Sequence, residues 1–396
     1  MTKLDALVIG GGPGGASAAY HLARGGAQVA LVDSREPGGR RPMTGFLSVL
    51  AQDCLAGMEL GDWASRQRSC PRMHFVGPRG TVAVWTPVSE RRTSVLAPRG
   101  ELEPVLLDAA ASVGVRLFLD TTVTGIEASN DGVVARTDGY TLPQAQLVIL
   151  AEGARARLAE DLGLVRRGAD YVNLHAVYEH GADGLCEMHY LHDLMPTVSW
   201  AVPVSAEAVC LSVSSLSRSV KGSVLMSSLR QLSSERAYSG ALAGRRPAQS
   251  PRVRCIRSGL NSVTPYGERI LLAGEVAGVV HPLTLEGIGA AMESGRVAAQ
   301  HARYALEKGR FTTADLSAYA RALRRVFGVE YRAARFLREL LRSERVLERI
   351  VGRAQRDPGF ANLVAGLFTR SQSTLGTLTP ANLLRYAIWW RGPRPR

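Results

Sequence analysis

Two glycine-rich stretches carry the residue types from which a nucleotide site can be built. Gly10-Gly11-Gly12-Pro13-Gly14-Gly15 is a Gly-x-Gly-x-x-Gly turn, and Asp33 closes the next apolar run. In that pattern Gly10 makes the tight turn, Gly12 admits a pyrophosphate, Gly15 packs the following helix and Asp33 accepts from a ribose hydroxyl, with Gly14 inside the same turn. Far along the chain, Gly274-Glu275 ends another apolar run, and His281-Pro282 leads to Gly287-Ile288-Gly289. A helix starting there presents unpaired N–H groups and a positive dipole end to negative charge, and glycine lets a flat ring approach closely. His281 stands just before this helix start, where an imidazole could move a proton near neutral pH. The competing reading is a structural loop histidine.

The elements that must hold these residues are legible too. Leu4 to Ile9 reads as a buried parallel strand, Ala16 to Ala23 as a small-residue helix closed by Gly25-Gly26, and Gln28 to Val32 as a second strand. Val115 to Ile126 reads as two short strands. Residues 171 to 215 alternate short apolar runs with turn residues, which predicts an antiparallel sheet forming the substrate pocket. Ser227 to Ser250 reads as a helix or loop. From Leu316 onward basic amphipathic helices are expected, with Arg335, Arg338, Arg342, Arg345, Arg349 and Arg353 on one side and Phe336, Leu340, Leu347, Ile350 and Val351 on the other. That arginine face is either solvated or docks an anionic membrane, a substrate carrier or a reductase.

Composition bounds the answer. With 396 residues, 46% of them apolar, the chain is long enough for two domains and too apolar for disorder. The net charge of +13 is arginine, since the only lysines are Lys3, Lys221 and Lys308, and no nucleic-acid motif accompanies it. Cys54, Cys70, Cys186, Cys210 and Cys255 are scattered and unpaired in sequence, against a disulfide framework or a structural zinc site, and no metal cluster is expected. No long uncharged apolar run suggests a spanning helix, so the expectation is a cytoplasmic protein with peripheral membrane contact at most.

The stretch Arg269 to Arg296, with Ala-Gly-Glu at 273 to 275 and His-Pro-Leu-Thr at 281 to 284, resembles the second flavin motif of the geranylgeranyl reductase family, within the wider group of flavin hydroxylases and halogenases. The resemblance implies an α/β fold: a Rossmann-type FAD-binding domain, an inserted antiparallel-sheet substrate domain and a C-terminal helical region. It divides the chain into 1–70, 95–165 and 265–305 for FAD, 71–94 and 166–264 for substrate, and 306–396 for the helices. FAD is the implied cofactor. By the same resemblance Arg41 and Arg99 are FAD contacts, Val123 lies beside the adenine, Gly153 ends an Ala-Glu-Gly element, Gly274-Glu275 reaches the ribityl chain, and Pro282, Gly287 and Ile288 face the isoalloxazine. Glu152 and Glu275 each stand where aspartate is usual. Ser199-Trp200-Ala201-Val202-Pro203 keeps only the tryptophan and proline of the family's substrate-facing element.

Such a site supports oxygenation, halogenation, oxidation or double-bond reduction. No lysine lies where halogenases need one. Arg41-Pro42-Met43 replaces the family's cysteine-bearing turn, so a thiol proton donor is missing. On that ground the sequence leans to a monooxygenase acting on a hydrophobic or aromatic natural product by hydroxylation or epoxidation. The alternatives are a C=C reductase of an isoprenoid or polyene and a noncatalytic FAD-binding partner protein. With one Gly-rich turn only, NAD(P)H must visit transiently, or an external donor such as a reductase or ferredoxin supplies electrons.

Overall fold

The computed structural model describes residues 3–35, 44–70, 72–86, 93–181, 184–216, 220–261, 263–377 and 379. The most apolar runs of the sequence make its deepest sheet. β1 (Leu4–Ile9) lies between β2 (Val29–Val32) and β11 (Ala145–Leu150), all parallel, with Ala6 opposite Val29 and Leu147. β8 (Arg116–Phe118) and β18 (Ile270–Leu272) extend it in parallel, and β17 (Tyr266–Gly267) closes one edge. A β9 (Val123–Ser129) and β10 (Gly132–Thr137) hairpin branches from β11. Such a sheet needs cover on both faces, which is why its strands lack alternation.

Residues with alternating patterning make the second sheet. Its order is β16 (Arg252–Ile256), β12 (Tyr171–Glu179), β15 (Ala208–Leu216), β14 (Ser199–Pro203), β13 (Cys186–His189), β5 (Met73–Val76) and β6 (Val82–Trp85). All pairings are antiparallel except β13 with β5. Between the sheets lies a short one of β3 (Thr44–Leu47), β7 (Val95–Pro98) and β4 (Arg68–Ser69).

Helices α1 (Pro13–Arg24), α2 (Val49–Gly57), α3 (Gly61–Ser65), α4 (Arg99–Ser112) and α5 (Arg157–Asp161) belong to the first sheet's surroundings, and α6 (Gly222–Gln231) packs on the second sheet. A π-helical turn, Leu232–Arg236, follows α6 where the sequence allowed helix or loop. α7 (Ile288–Lys308) is the longest helix and lies against α1. The approach is close because small residues line it: a Cβ on Gly295 would stand 2.2 Å from the Gly14 carbonyl, and the Ser17 hydroxyl donates to the Met292 carbonyl at 2.7 Å. Two motifs 260 residues apart are thereby held as one.

The C-terminal helices are α8 (Thr313–Leu316), α9 (Ala318–Leu323), α10 (Val329–Leu340), α11 (Glu344–Arg356), α12 (Pro358–Thr369) and α13 (Thr374–Thr377). In α11 the apolar side is inward as expected, with Leu347 and Val351 buried. In α10 the expectation fails: Phe336 and Leu340 are 58% and 45% exposed. The arginines turn inward instead. Arg335 donates to the Gly259 carbonyl at 2.7 Å, and Arg338 donates to the Tyr171 hydroxyl with its guanidinium over the Tyr171 ring. Fixed acceptors on a neighbouring loop and strand outweigh the helix's own pattern. Among the described residues no helix is long and apolar enough to cross a membrane.

Candidate functional site

The site begins at the β1–α1 turn. Gly10 sits at φ +108°, and a Cβ there would meet the Ala151 carbonyl at 2.3 Å; one on Gly15 would lie 1.8 Å from the Gly10 carbonyl. Gly14 meets Gly274 almost backbone to backbone, its virtual Cβ 2.8 Å from the Gly274 Cα. Gly12, the N-cap of α1, has nothing within 4 Å of its virtual Cβ. Three glycines are therefore compelled by packing, and the fourth opens space in front of a helix start, which is the shape a pyrophosphate needs.

Asp33 lies at the end of β2, and it is engaged. Its Oδ1 accepts from the Arg35 N–H and Nε, and its Oδ2 from the Gly11 N–H and Arg35 Nη2. Four donors fill a carboxylate's roughly four acceptor sites. Burial pushes Asp33 up, but Arg35 and the two backbone N–H groups overcome this and hold it below the ordinary carboxylate range. A ribose hydroxyl reaches Asp33 only by displacing Arg35, a residue the sequence reading did not single out; the Asp-x-Arg spacing was its available signal. Arg35 also pairs with Glu103 at 2.5 Å, and Glu103 pairs with Arg99 at 2.7 Å. Arg99, at the first turn of α4, is pushed down by burial, and Glu275 and Arg254 act on it electrostatically. Arg254 on β16 binds Glu275 Oε2 at 2.5 Å, while Glu275 Oε1 is buried without a partner. An alternating chain of acids and arginines thus runs from the first glycine motif to the second.

At the start of α7 the expectation of unpaired N–H groups needs correction. The Gly289 N–H donates to Glu286 Oε1 at 2.8 Å. Glu286 is 8% exposed, and its Oε2 is buried with no partner. Burial pushes its carboxyl up, partly countered by Arg370, the Ser48 hydroxyl and the Ile288 and Gly289 N–H groups. Glu286 passes unnoticed in the sequence, because an acid beside glycines reads as an ordinary loop residue.

His281 precedes this loop and is 1% exposed. Its Nδ1 accepts from the Thr284 N–H at 3.2 Å and lies 3.1 Å from the Thr284 hydroxyl. Its ring meets Tyr331 edge-on, and Nε2 stands 3.7 Å from Glu330. Burial pushes the imidazole down to about 4, so it is neutral at physiological pH. Glu330 in turn accepts from Arg370 at 3.0 Å and the Thr374 N–H at 2.6 Å, which tie α10 to the chain after α12.

The other expected residues occupy defined places. The Val123 carbonyl accepts from Arg157 Nη2 at 2.6 Å. Gly153 turns at φ +72°, and the neighbouring Glu152 accepts from the Leu158 and Ala159 N–H groups in the first turn of α5. The Pro282 carbonyl accepts from the Tyr171 hydroxyl at 2.7 Å. Gly287 is the N-cap of α7, with the Val280 side chain 3.0 Å from its virtual Cβ, and Ile288 packs toward Gly45 of β3. Arg41, Pro42 and Met43 lie outside the described residues.

Beyond Gly45 stands an aromatic wall. Phe46 and Trp200 face each other with centroids 5.5 Å apart, Trp200 meets Phe368 at 5.9 Å, and Leu283 joins the same cluster. Phe46 and Trp200 are only half-buried, which leaves apolar surface beside the start of α7. The Trp200 strand therefore belongs to core and wall alike. The five cysteines are free; Cys54 on α2 points to the Gly289 carbonyl at 3.7 Å, and burial raises its thiol to about 12. Among the described residues no cluster of ligating side chains is arranged for a metal ion.

The residues present fit FAD. The open face of Gly12 and the α1 start suit a pyrophosphate, the orphan Glu275 oxygen suits a ribityl hydroxyl, and the α7 start with Gly45 and Gly287 suits a flat, electron-accepting ring.

Residues 3–193 match the FAD binding domain family. Digeranylgeranylglycerophospholipid reductase 1 of Methanothermobacter thermautotrophicus is 28% identical over 345 residues, covering 83% of this chain and 84% of its own. Aklavinone 12-hydroxylase of Streptomyces peucetius is 32% identical over 198 residues, covering 42% of this chain and 40% of its own. Among solved structures, a geranylgeranyl bacteriochlorophyll reductase-like protein from Thermoplasma acidophilum superposes with a TM-score of 0.79 at 20% identity, over 100% of this chain and 98% of its own.

Proposed function

We propose that this chain, which belongs to the geranylgeranyl reductase family of FAD-dependent oxidoreductases, saturates carbon–carbon double bonds in an extended hydrophobic chain of isoprenoid type. The observation that carries the reading is Glu286. The sequence leans to oxygenation because the turn at 41 to 43 offers no thiol, but reduction of a double bond needs any buried proton source, and Glu286 is a carboxyl whose pKa is raised by burial, beside the ring-binding helix start. The similarity to the lipid reductase supports the same order of preference, since it extends well beyond the FAD-binding segment 3–193.

FAD, when bound, supplies the two-electron redox chemistry. This chain's residues do the rest. The α1 start and the Asp33–Arg35–Glu103–Arg99 chain hold the dinucleotide end. Phe46, Trp200 and Phe368 give an apolar chain a dry surface. Glu286 takes up a proton at Oε2, which has no protein partner, when negative charge develops at the same helix start. The reductant we assign is NAD(P)H in transient contact, or an external reductase or ferredoxin.

A second reading, oxygenation of an aromatic or polyene product, is supported by the 32% identity to the aklavinone hydroxylase. One experiment separates the two. The purified protein is reduced anaerobically, mixed with a polyprenyl lipid or isoprenoid quinone, and the products are weighed by mass spectrometry with and without oxygen. Gain of two hydrogens per double bond without oxygen is the expected result. Products that form only with oxygen and carry an added oxygen atom would establish the second reading instead.

A further inference from the structure

We propose that Glu286 and the bound flavin share the start of α7, so that reducing the flavin drives a proton onto the Glu286 carboxylate. The inference rests on FAD binding at α7 and is independent of which substrate is reduced or oxygenated.

The geometry is specific. α7 begins at Ile288 and runs for 21 residues, so its first turn is a strong anion site. Glu286 already occupies part of it through Gly289, and its second oxygen is sealed from water with no partner. A reduced flavin carries its negative charge at the edge that this same helix start would face. Two anions at one buried helix start repel, and the pair avoids this when one of them takes a proton.

The groups around Glu286 leave it as the member that can change charge. Arg370, after α12, is a permanent cation paired with Glu330. Glu330, on α10, is pushed up by burial yet held well below the carboxylate range by His281 and the Thr374 and Leu375 N–H groups. His281, on the same loop as Glu286, is held near 4 by burial. Tyr331, from α10, is pushed up by burial, and Cys54, from α2, stands near 12 for the same reason. Ser48 contributes only a neutral hydroxyl, and Glu293 on α7 is paired with Arg296. Among these, Glu286 alone is ordinarily charged near neutral pH and pushed toward its neutral form.

The step balances as follows: two electrons and one proton convert oxidised flavin to its monoanionic reduced form, and a second proton from water converts the Glu286 carboxylate to the acid. The electrons come from a nicotinamide donor or, in the assay, from dithionite.

The test is a spectroelectrochemical titration of the FAD-loaded protein from neutral to mildly alkaline pH. Uptake of two protons changes the reduction equilibrium a hundredfold per pH unit, about 59 mV; uptake of one changes it tenfold, about 30 mV. The wild type is expected at the steeper slope, and Glu286→Gln and Glu286→Ala at the shallower one. A wild-type slope of about 30 mV, or a variant that keeps about 59 mV, overturns the proposal. Redox-difference infrared spectra of the wild type need no variant: a protonated carboxyl band should appear on reduction, and its absence also overturns the proposal. A protein that takes up no FAD refutes the cofactor assignment itself, an outcome visible before any titration.

Discussion

Acid should weaken the wild-type protein through His281, and Glu330 and the wall of α10 around it make the effect measurable. Burial holds the folded imidazole near 4, against an ordinary value of 6.5. Below roughly pH 6.5 the unfolded histidine takes up a proton that the folded one refuses until about pH 4. Stability therefore falls as pH drops through that window and is unaffected above it. At about pH 5 the loss is about 2 kcal/mol, and at pH 7 it is only about 0.2 kcal/mol. The perturbation is His281→Gln, which keeps an acceptor for Thr284 without a titrating ring. Denaturant unfolding followed by tryptophan fluorescence, at about pH 7 and pH 5, gives the stability difference between the two proteins at each pH. His21 and His175, also depressed by burial, act in both proteins and cancel in the difference. Glu187, held near 2 by His189 and His74 against the upward push of burial, loses its contribution only at lower pH. The gap between wild type and His281→Gln should narrow by about 2 kcal/mol on acidification. A gap equal at the two pH values would show that the ring titrates normally and that its burial in this fold is wrong. With about one imidazole in a thousand protonated at neutral pH, the variant should also keep both limbs of the wild-type pH profile for turnover.

Three further outcomes follow from distances. Gly12→Ala should fold normally, because its methyl enters open space, yet lose FAD affinity by about tenfold or more through the displaced pyrophosphate, whereas Gly15→Ala should lower the melting temperature sharply; equilibrium dialysis and calorimetry distinguish the two. Asp33→Ala strands the Gly11 N–H and the Arg35 guanidinium, so FAD retention should weaken by about 1.5 to 3 kcal/mol, measured by fluorescence titration of the apoprotein. In α10, Arg335→Ala should cost about 1 to 2 kcal/mol of stability and Phe336→Ser less than about 0.5 kcal/mol, the reverse of what the helix's apolar pattern suggests, and thermal unfolding of both variants checks it.

What the sequence determines by itself is whatever local geometry compels. The strand, turn, helix and strand from Leu4 to Val32 are all present, because an uninterrupted apolar run, a glycine turn and a small-residue helix each admit few conformations. The second motif is legible for the same reason: Gly274 at φ +76° and the small residues of α7 leave the backbone little choice. The alternating runs of 171 to 215 likewise become an antiparallel sheet. Partnerships between distant residues were decided elsewhere. Nothing local says that Arg35 reaches Glu103, that Arg254 reaches Glu275, or that the second oxygen of Glu286 is buried without a partner. Nor does the wheel of α10 show that Arg335 and Arg338 face inward, because the Gly259 carbonyl and Tyr171 hydroxyl that attract them come from strands and loops over a hundred residues away in one case and tens in the other. Periodicity records which side chains avoid water on average, whereas the charge state and orientation of a buried acid or arginine depend on which donors the completed fold brings within three ångströms or so. A dinucleotide site was therefore readable from spacing and FAD from the family resemblance, whereas the buried Glu286 carboxyl at the start of α7 was readable only from the packed structure.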